Sequence, residues 1–270
     1  MKRNRMFLIA LVGLFLVGGC STYTEPLIQV GTLQGLLAGE YEGTVTLKDL
    51  PGSGWYGMIG LGTFDALDGE MVIIDGVCYR VPTTGHVTVM KPTDTTPFAN
   101  VACIDHASEW NMWEHDVTDY ASLKKYVLSQ IDDPTRPYAI RIDARFASVK
   151  TRSVPKQSKP YRKLIDVVKT GQVVFDIDPD PKGWLDAPGT IVGFYFPPSF
   201  KGVNVVGFHL HFLTADRSAG GHLLDFKYNW TKNPAKIQLA PLDKKIRWVG
   251  KKGEVRESSH EEIKAIEQGK

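Results

Sequence analysis

Hydrophobic residues in the first half of the chain occur mainly in short runs that turn residues separate. Dipeptides such as Asp75-Gly76 and Thr84-Gly85 lie between successive runs. Short apolar runs bounded by Gly, Pro and Asp are typical of β-strands. The pattern therefore predicts strands at Gly43–Leu47, Met71–Ile74, Val77–Val81 and His86–Met90.

Three segments have the wider spacing of apolar residues that is typical of helices. In residues 117–131, the apolar positions are Val117, Tyr120, Leu123, Val127 and Ile131, and lysines occupy the other side. This three-to-four-residue spacing predicts an amphipathic helix. Further helices are predicted at Val30–Glu40, with Leu33, Leu36 and Leu37 on one side, and, within the charged tail that starts at Leu242, at Glu261–Gln268.

The second half of the chain again favours strands. Tyr138–Val149 alternates between apolar and charged residues, and further strands are predicted at Gln172–Ile177, Gly189–Phe196, Val205–Leu213 and His222–Tyr228. Thr151–Tyr161 is polar and contains two prolines, which predicts irregular structure, either a linker or a loop beside a site. We predict an α+β fold of two strand-rich lobes with mixed or antiparallel sheets and a few helices, divided into residues 21–150 and 151–270.

Composition and charge exclude one class of partner. The chain is 43% hydrophobic and 23% charged, as in ordinary globular proteins, and its net charge is +2. Nucleic-acid binding would require basic residues clustered on one surface, and no such cluster occurs in the middle of the chain. We therefore expect no nucleic-acid partner.

The N-terminal segment indicates export. Three basic residues precede the apolar run Met6–Val17, which is too short for a typical membrane-spanning helix. The sequence LVGGC at residues 16–20 resembles a bacterial lipobox, which predicts a signal peptide over residues 1–20 and lipidation of Cys20. Residues 21 to about 30 are expected to form a short tether. The protein is then expected on the periplasmic side of the cell envelope, held to the membrane by its lipid. An uncleaved anchor and a plain signal peptide are the alternatives.

Two further cysteines, Cys78 and Cys103, lie in predicted strands. An exported protein can join such residues in a disulfide, whereas buried free thiols also pack as small hydrophobic groups. The sequence leaves both alternatives open.

Three histidines provide the strongest indication of a functional site in the sequence. His209 and His211 are two residues apart in an apolar strand, so both side chains lie on the same face. The turn composition of residues 214–221 predicts a hairpin centred near Arg217, which brings His222 opposite or nearly opposite His211. Three imidazoles with an open coordination position are typical of catalytic zinc, although copper, nickel and iron also bind imidazole. The remaining histidines, His86, His106, His115 and His260, lack this spacing and are expected to be solvated.

Several longer motifs resemble the acetolactate decarboxylase family. They are GLGTFDALDGEM at residues 60–71, TRSVPKQ at 151–157, FHLHF at 208–212 and GGH at 220–222. The resemblance implies zinc held by His209, His211 and His222, and conversion of 2-acetolactate to acetoin and carbon dioxide. It also implies active-site roles for Glu70 and Arg152, and substrate binding near Thr63. For a second catalytic glutamate near the C-terminus we select Glu267, with Glu254, Glu257, Glu261 and Glu262 as alternatives.

The chemistry of a β-keto acid suggests how these groups would act. Loss of carbon dioxide leaves an enediolate, whose charge a zinc ion stabilises as a Lewis acid. We expect Arg152 to bind the substrate carboxylate or the developing charge, and Glu70 or Glu267 to deliver a proton. Without the resemblance, Glu70 would be interpreted as a turn carboxylate and Arg152 as a solvated side chain.

Two other functional classes remain open at this point. The same histidines would serve a zinc hydrolase of the envelope, with Glu70 as its base, or a metal-binding or ligand-binding lipoprotein without catalytic activity. Export also leaves the physiological substrate open, because acetolactate is made in the cytoplasm. A related 2-hydroxy-3-keto acid is the alternative small-molecule substrate, and the resemblance allows a homodimer.

Overall fold

The computed structural model describes residues 25–52, 54, 56–105, 107–111, 117–178, 186–228, 235–250, 263, 264 and 267. Several residues singled out in the sequence lie outside this part of the chain: Cys20, His106, His115, His260 and the alternative glutamates Glu254, Glu257, Glu261 and Glu262.

Strands predominate in the described residues. They are β1 (Glu25–Val30), β2 (Val45–Thr46), β3 (Met58–Thr63), β4 (Glu70–Ile74), β5 (Val77–Val81), β6 (Thr88–Val89), β7 (Thr95–Thr96), β8 (Phe98–Cys103), β9 (Ser108–Asn111), β10 (Tyr138–Phe146), β11 (Ser148–Ser153), β12 (Val173–Ile177), β13 (Ala187–Phe196), β14 (Gly207–Thr214), β15 (Gly220–Lys227) and β16 (Lys236–Trp248). The α-helices are α1 (Leu33–Ala38), α2 (Tyr120–Gln130) and α3 (Leu164–Gly171).

One large sheet joins nearly all of these strands. Its order is β12-β11-β15-β14-β13-β10-β16-β1-β8-β3-β4-β5-β6, with β9 paired to β16, while β2 and β7 form a separate pair. The β1–β16 pairing is parallel and the other pairings in this sheet are antiparallel. The predicted α+β class with a mixed sheet is confirmed.

The sheet curls so that its two halves face each other. Strands β3 and β4 contact β13, β14 and β15, and the Ser153 hydroxyl on β11 donates a 2.6 Å hydrogen bond to the Val81 carbonyl on β5. The apolar residues enclosed between the halves form a central core cluster, to which Leu61 and Val72 contribute from one half and Phe194 and Leu213 from the other. Groups on the two halves thus meet in the interior, where a site can be shielded from water.

Each outer face of the curled sheet has its own cover. Helix α2 buries Leu123, Tyr126 and Val127 in a second cluster with Phe208, Leu210 and Phe212 of β14. A third cluster covers the other half and includes Leu47, Leu50 and Met71. Because both faces of the sheet are packed, its central strands read as continuous apolar runs rather than alternating ones.

The structure differs from the sequence predictions at several elements. Residues 25–30 were expected in a tether and form β1, whereas Lys236–Trp248 extends well into the predicted tail as β16. Helix α3 was not predicted, and residues 151–153 are the end of β11 rather than irregular. The expected long strand over residues 138–149 is divided between β10 and β11 at Ala147. The prolines explain why the irregular part of that polar segment starts only after Ser153.

Three further points concern the predicted organisation. The boundary proposed between residues 150 and 151 falls inside β11, and the sheet order continues through both predicted lobes. Cys78 and Cys103 are not joined by a disulfide. In the described part of the chain no helix is long and apolar enough to cross a membrane.

Candidate metal centre and surrounding active site

A hairpin of β14 and β15 brings the three histidines together. His211 pairs directly with His222 across the hairpin, and the turn places Arg217 in the left-handed region at φ 62°. Gly221 has φ 131°, and a Cβ atom there would lie 2.5 Å from the Arg152 carbonyl oxygen. Only glycine fits this position without a shift of the neighbouring strand, so the residue before His222 is fixed by close packing.

The three imidazoles converge in the protein interior. Their ring centroids are 5.1 to 5.3 Å apart, and one ligand nitrogen from each ring lies within 4.8 Å of the others. All three side chains are buried, with His211 only 1% exposed. The sequence prediction that His209, His211 and His222 come together is therefore confirmed at the level of geometry.

The surroundings keep these imidazoles neutral. His211 Nδ1 donates a 2.7 Å hydrogen bond to the Met71 carbonyl on β4, which leaves Nε2 with its lone pair. Burial lowers the pKa of His211 to about 3, and it lowers the pKa values of His209 and His222 well below their usual range. A neutral imidazole is the form that binds a metal ion.

The donor set fits a divalent metal such as zinc. His209 Nδ1 and His211 Nε2 are buried and have no hydrogen-bond partner, although a buried polar nitrogen normally has one. A metal ion bound between the rings would satisfy buried nitrogens that the protein leaves unsatisfied. Three imidazole ligands match catalytic zinc sites, which keep one coordination position for water or substrate.

A buried ion pair lies beside the histidines. Arg152 Nη1 on β11 donates a 3.0 Å hydrogen bond to Glu70 Oε1 on β4, and both side chains are more than nine-tenths buried. Glu70 Oε2 lies 3.6 Å from His211 Nε2. Burial raises the pKa of Glu70 to about 7, against the opposing effect of Arg152. The interpretations of Glu70 as a turn carboxylate and Arg152 as a solvated side chain are therefore wrong.

A second glutamate reaches the histidines from the C-terminal segment. Glu267 Oε2 lies 3.7 Å from His222 Nε2, and the Glu267 carbonyl oxygen lies 3.3 Å from the same nitrogen. Burial raises the pKa of Glu267 to about 8; Arg152 opposes the shift and Glu70 adds to it. Of the five glutamates considered in the sequence, Glu267 is the one within the described residues, and it lies at the site.

These groups surround one small cavity of about 40 Å³. Its polar lining comprises Thr63, Glu70, Arg152, His209, His222 and Glu267, and its apolar lining comprises Leu33, Leu36, Leu67, Phe98, Val154 and Leu164. Thr63 points its hydroxyl to the Gly69 carbonyl at 2.7 Å. A larger cleft of about 610 Å³, beside Phe175 and Pro188, contains none of the predicted site residues.

Sequence reasoning selected the polar side chains of this site and missed two kinds of partner. The Met71 carbonyl that orients His211 is a main-chain group, so no residue type could reveal it. Leu33 and Leu36 were predicted on one side of a helix, but their position at the cavity depends on tertiary packing. His86, expected to be solvated, is exposed.

The chain is similar to known proteins over most of its length. The family model described as alpha-acetolactate decarboxylase matches residues 27–244. An alpha-acetolactate decarboxylase of Methanosarcina mazei is 38% identical over 204 residues, covering 76% of this chain and 66% of that protein, about two thirds of its length. A relative of the same name from Bacillus subtilis strain 168 is 37% identical over 202 residues, covering 73% of this chain and 72% of the relative.

The fold is also similar to that of a solved alpha-acetolactate decarboxylase. The crystal structure of alpha-acetolactate decarboxylase from Bacillus subtilis strain 168 superposes with a TM-score of 0.76 at 29% sequence identity. The superposition covers 90% of this chain and 99% of that one. The residues that match the family model, 27–244, include strands of both halves of the curled sheet and the hairpin that carries the histidines.

Proposed function

The chain belongs to the alpha-acetolactate decarboxylase family, and from this premise we propose that it converts 2-acetolactate to acetoin and carbon dioxide in a zinc-dependent reaction. The observation that carries the proposal is the convergence of three neutral histidines, the Arg152–Glu70 pair and Glu267 around one cavity. Such a site offers metal ligands, a fixed positive charge and two acids around one cavity.

His209, His211 and His222 would hold the zinc ion, because their nitrogens are neutral, buried and close together. When bound, zinc would act as a Lewis acid for the enediolate that remains after carbon dioxide has left. The Met71 carbonyl fixes the orientation and tautomer of His211, a common supporting contact for metal-binding histidines.

Arg152 is the group best suited to bind the substrate carboxylate. Its guanidinium carries a permanent charge and offers several donors in one plane, and its Nη1 donates a hydrogen bond to Glu70 at the cavity. Because Arg152 is buried, water does not weaken its attraction for an anionic group. Glu70 in turn holds the guanidinium in place.

The proton that completes acetoin would come from Glu70 or Glu267. Both carboxyl groups line the cavity, and burial favours the protonated form of each. Glu70 is held by Arg152, whereas Glu267 lies beside His222. The apolar residues around them exclude water, which protects the reactive intermediate from an undirected proton transfer.

The test is acetoin release from racemic 2-acetolactate by the protein of residues 21–270, purified with its metal. We expect acetoin formation that a chelator abolishes and added zinc restores. Acetoin formation that survives complete metal removal would contradict zinc dependence. A protein that retains one zinc per chain but releases no acetoin would favour the envelope hydrolase or the non-catalytic binding lipoprotein instead.

We also propose that Cys20 is lipidated and anchors the protein in the cell envelope, on the basis of the sequence of residues 1–20. The full chain produced in a Gram-negative host should fractionate with membranes and carry a lipid on Cys20 by mass spectrometry. A Cys20→Ala variant should lose both properties. Equal fractionation of the two proteins would contradict the proposal.

A further inference from the structure

We propose that Ile263 is a positioning residue: its side chain, packed in the central core cluster, holds Glu267 at the cavity and over His222. The inference deepens the proposed function, on which it rests for the role of Glu267. It concerns a residue that does not line the cavity and that no motif of the sequence singled out.

The first observation is the contrast between neighbouring residues of the C-terminal segment. Ile263, Lys264 and Glu267 have helical backbone conformation. Ile263 is 8% exposed, whereas Lys264 is exposed. Ile263 packs in the core and Glu267 lines the cavity, so both of these side chains point into the protein, whereas Lys264 points outward.

The second observation is where Ile263 packs. Ile263 belongs to the central core cluster, which also contains the apolar lining of the cavity: Leu33, Leu36, Leu67, Phe98, Val154 and Leu164. The cavity wall and the attachment point of the segment are thus parts of one packed unit. Packed interiors transmit small displacements, so a loosened Ile263 would shift Glu267.

The third observation is what Glu267 does at its position. Its carboxylate and carbonyl oxygens lie 3.7 and 3.3 Å from His222 Nε2, and His222 is only 2% exposed. The segment thus covers one metal-ligating histidine and also supplies a carboxyl group. Within the described part of the segment, Ile263 is the apolar residue buried in the core, so it is the natural anchor for both effects.

A readout independent of turnover is the reactivity of His222 in the metal-free protein. Diethyl pyrocarbonate modifies accessible histidines, and mass spectrometry of a digest reports each one. We expect His222 to react at least about 10-fold faster in Ile263→Ala than in the wild type, because local opening exposes it. Lys264→Ala, the matched control, should react like the wild type. Equal reactivity of His222 in Ile263→Ala and Lys264→Ala would overturn the proposal.

The turnover number, kcat, gives a second readout. In the zinc-loaded enzyme, Ile263→Ala should lower kcat by about 10-fold to 100-fold through misplacement of Glu267, with zinc still near one per chain. Ile263→Val, which keeps most of the packing volume, should recover most of the activity. Lys264→Ala should leave kcat unchanged.

A double-mutant cycle separates positioning from general destabilisation. If Ile263 acts through Glu267, the Ile263→Ala, Glu267→Gln double variant should be about as active as Glu267→Gln alone. Losses that multiply would mean that Ile263 acts elsewhere and would overturn the proposal. If neither the wild type nor any variant forms acetoin, the proposed function is wrong. The reactivity of His222 in Ile263→Ala still decides the role of Ile263 in that case.

Discussion

At the scale of single residues, the spacing of the histidines along the chain was enough to predict that they meet at one site. His209 and His211 share a face because strand side chains alternate, and the turn composition placed His222 beside them. Arg152 and Glu70, in contrast, are 82 positions apart, and nothing in their local sequence indicates a buried pair. The resemblance implied that both residues lie in the active site, but their pairing was not predicted, since long-range contacts leave no periodic signal.

The planar guanidinium of Arg152, with its paired donors, should matter more for activity than its positive charge alone. Arg152→Lys keeps a positive group but cannot present two donors in one plane to a carboxylate. We expect kcat/KM for 2-acetolactate to fall by about 100-fold, the usual cost of removing a preorganised charge-stabilising donor. Zinc content, measured by atomic absorption, should stay near one per chain.

The exposed Arg145 provides the matched control, and Arg145→Lys should be fully active. Loss of zinc from Arg152→Lys would contradict the division of roles between Arg152 and the histidines.

Gly221 provides a test of backbone packing beside the candidate metal centre. Gly221→Ala places a Cβ atom 2.5 Å from the Arg152 carbonyl oxygen, at a φ of 131°. We expect the free energy of unfolding to fall by more than the roughly 1 to 2 kcal/mol that positive φ alone costs. Zinc affinity should fall as well, because the adjacent His222 must shift.

Gly207 separates the two contributions. It also has a positive φ, of 97°, but a Cβ atom there would meet nothing within 4 Å. In urea titrations, Gly207→Ala should therefore lose less stability than Gly221→Ala and keep its zinc affinity. Equal losses would show that close packing at Gly221 contributes nothing.

At the scale of elements, the sequence predicted most strands of the second half and helix α2, because these have clear apolar patterns. It missed β1 and β16, whose pairing with each other is parallel and long-range. In β16, the charged residues Asp243, Lys244 and Lys245 are consecutive, which resembles a solvated tail. Helix α3 was missed because it follows a proline-rich stretch and spans only 8 residues.

Asp119 caps the N-terminus of helix α2. The Asp119 carboxylate accepts a 2.8 Å hydrogen bond from the Ser122 amide, and Ser122 Oγ accepts one from the Asp119 amide, which forms a capping box. Asp119→Ala should lower the free energy of unfolding by about 1 kcal/mol at neutral pH. Asp132→Ala, an exposed change of equal charge just past the helix, is the control and should have little effect.

The contribution of this cap should depend on pH in a defined direction. Hydrogen bonds from Ser122 lower the pKa of Asp119 in the folded protein. A lowered folded pKa means that the stabilisation is present above the unfolded pKa of about 3.9 and is lost as pH falls through the folded value. The stability difference between wild type and Asp119→Ala, measured by urea titration from pH 7 to pH 3, should therefore shrink in acid. A constant difference would contradict a charged cap.

At the scale of the whole molecule, curling of the sheet creates the site. The histidines belong to β14 and β15, whereas Glu70 and the Met71 carbonyl belong to β4, three strands beyond β1 in the other half. The local patterns of these strands predicted that they exist but not that they face each other. Closure of a sheet depends on twist, register and the packing of both outer faces, which are properties of the assembled chain.

Because the site joins both halves, its metal should stabilise the fold as a whole. A ligand that binds only the folded state adds about 2.7 kcal/mol at a concentration 100 times its Kd. Zinc added to the metal-free protein should therefore raise Tm by several degrees in calorimetry. His211→Ala removes a ligand that β4 orients, so this variant should lose most of the zinc-dependent rise. His86→Ala, at an exposed histidine of the same chain, should keep all of it. An equal rise in all three proteins would place the zinc elsewhere and would contradict the three-histidine centre.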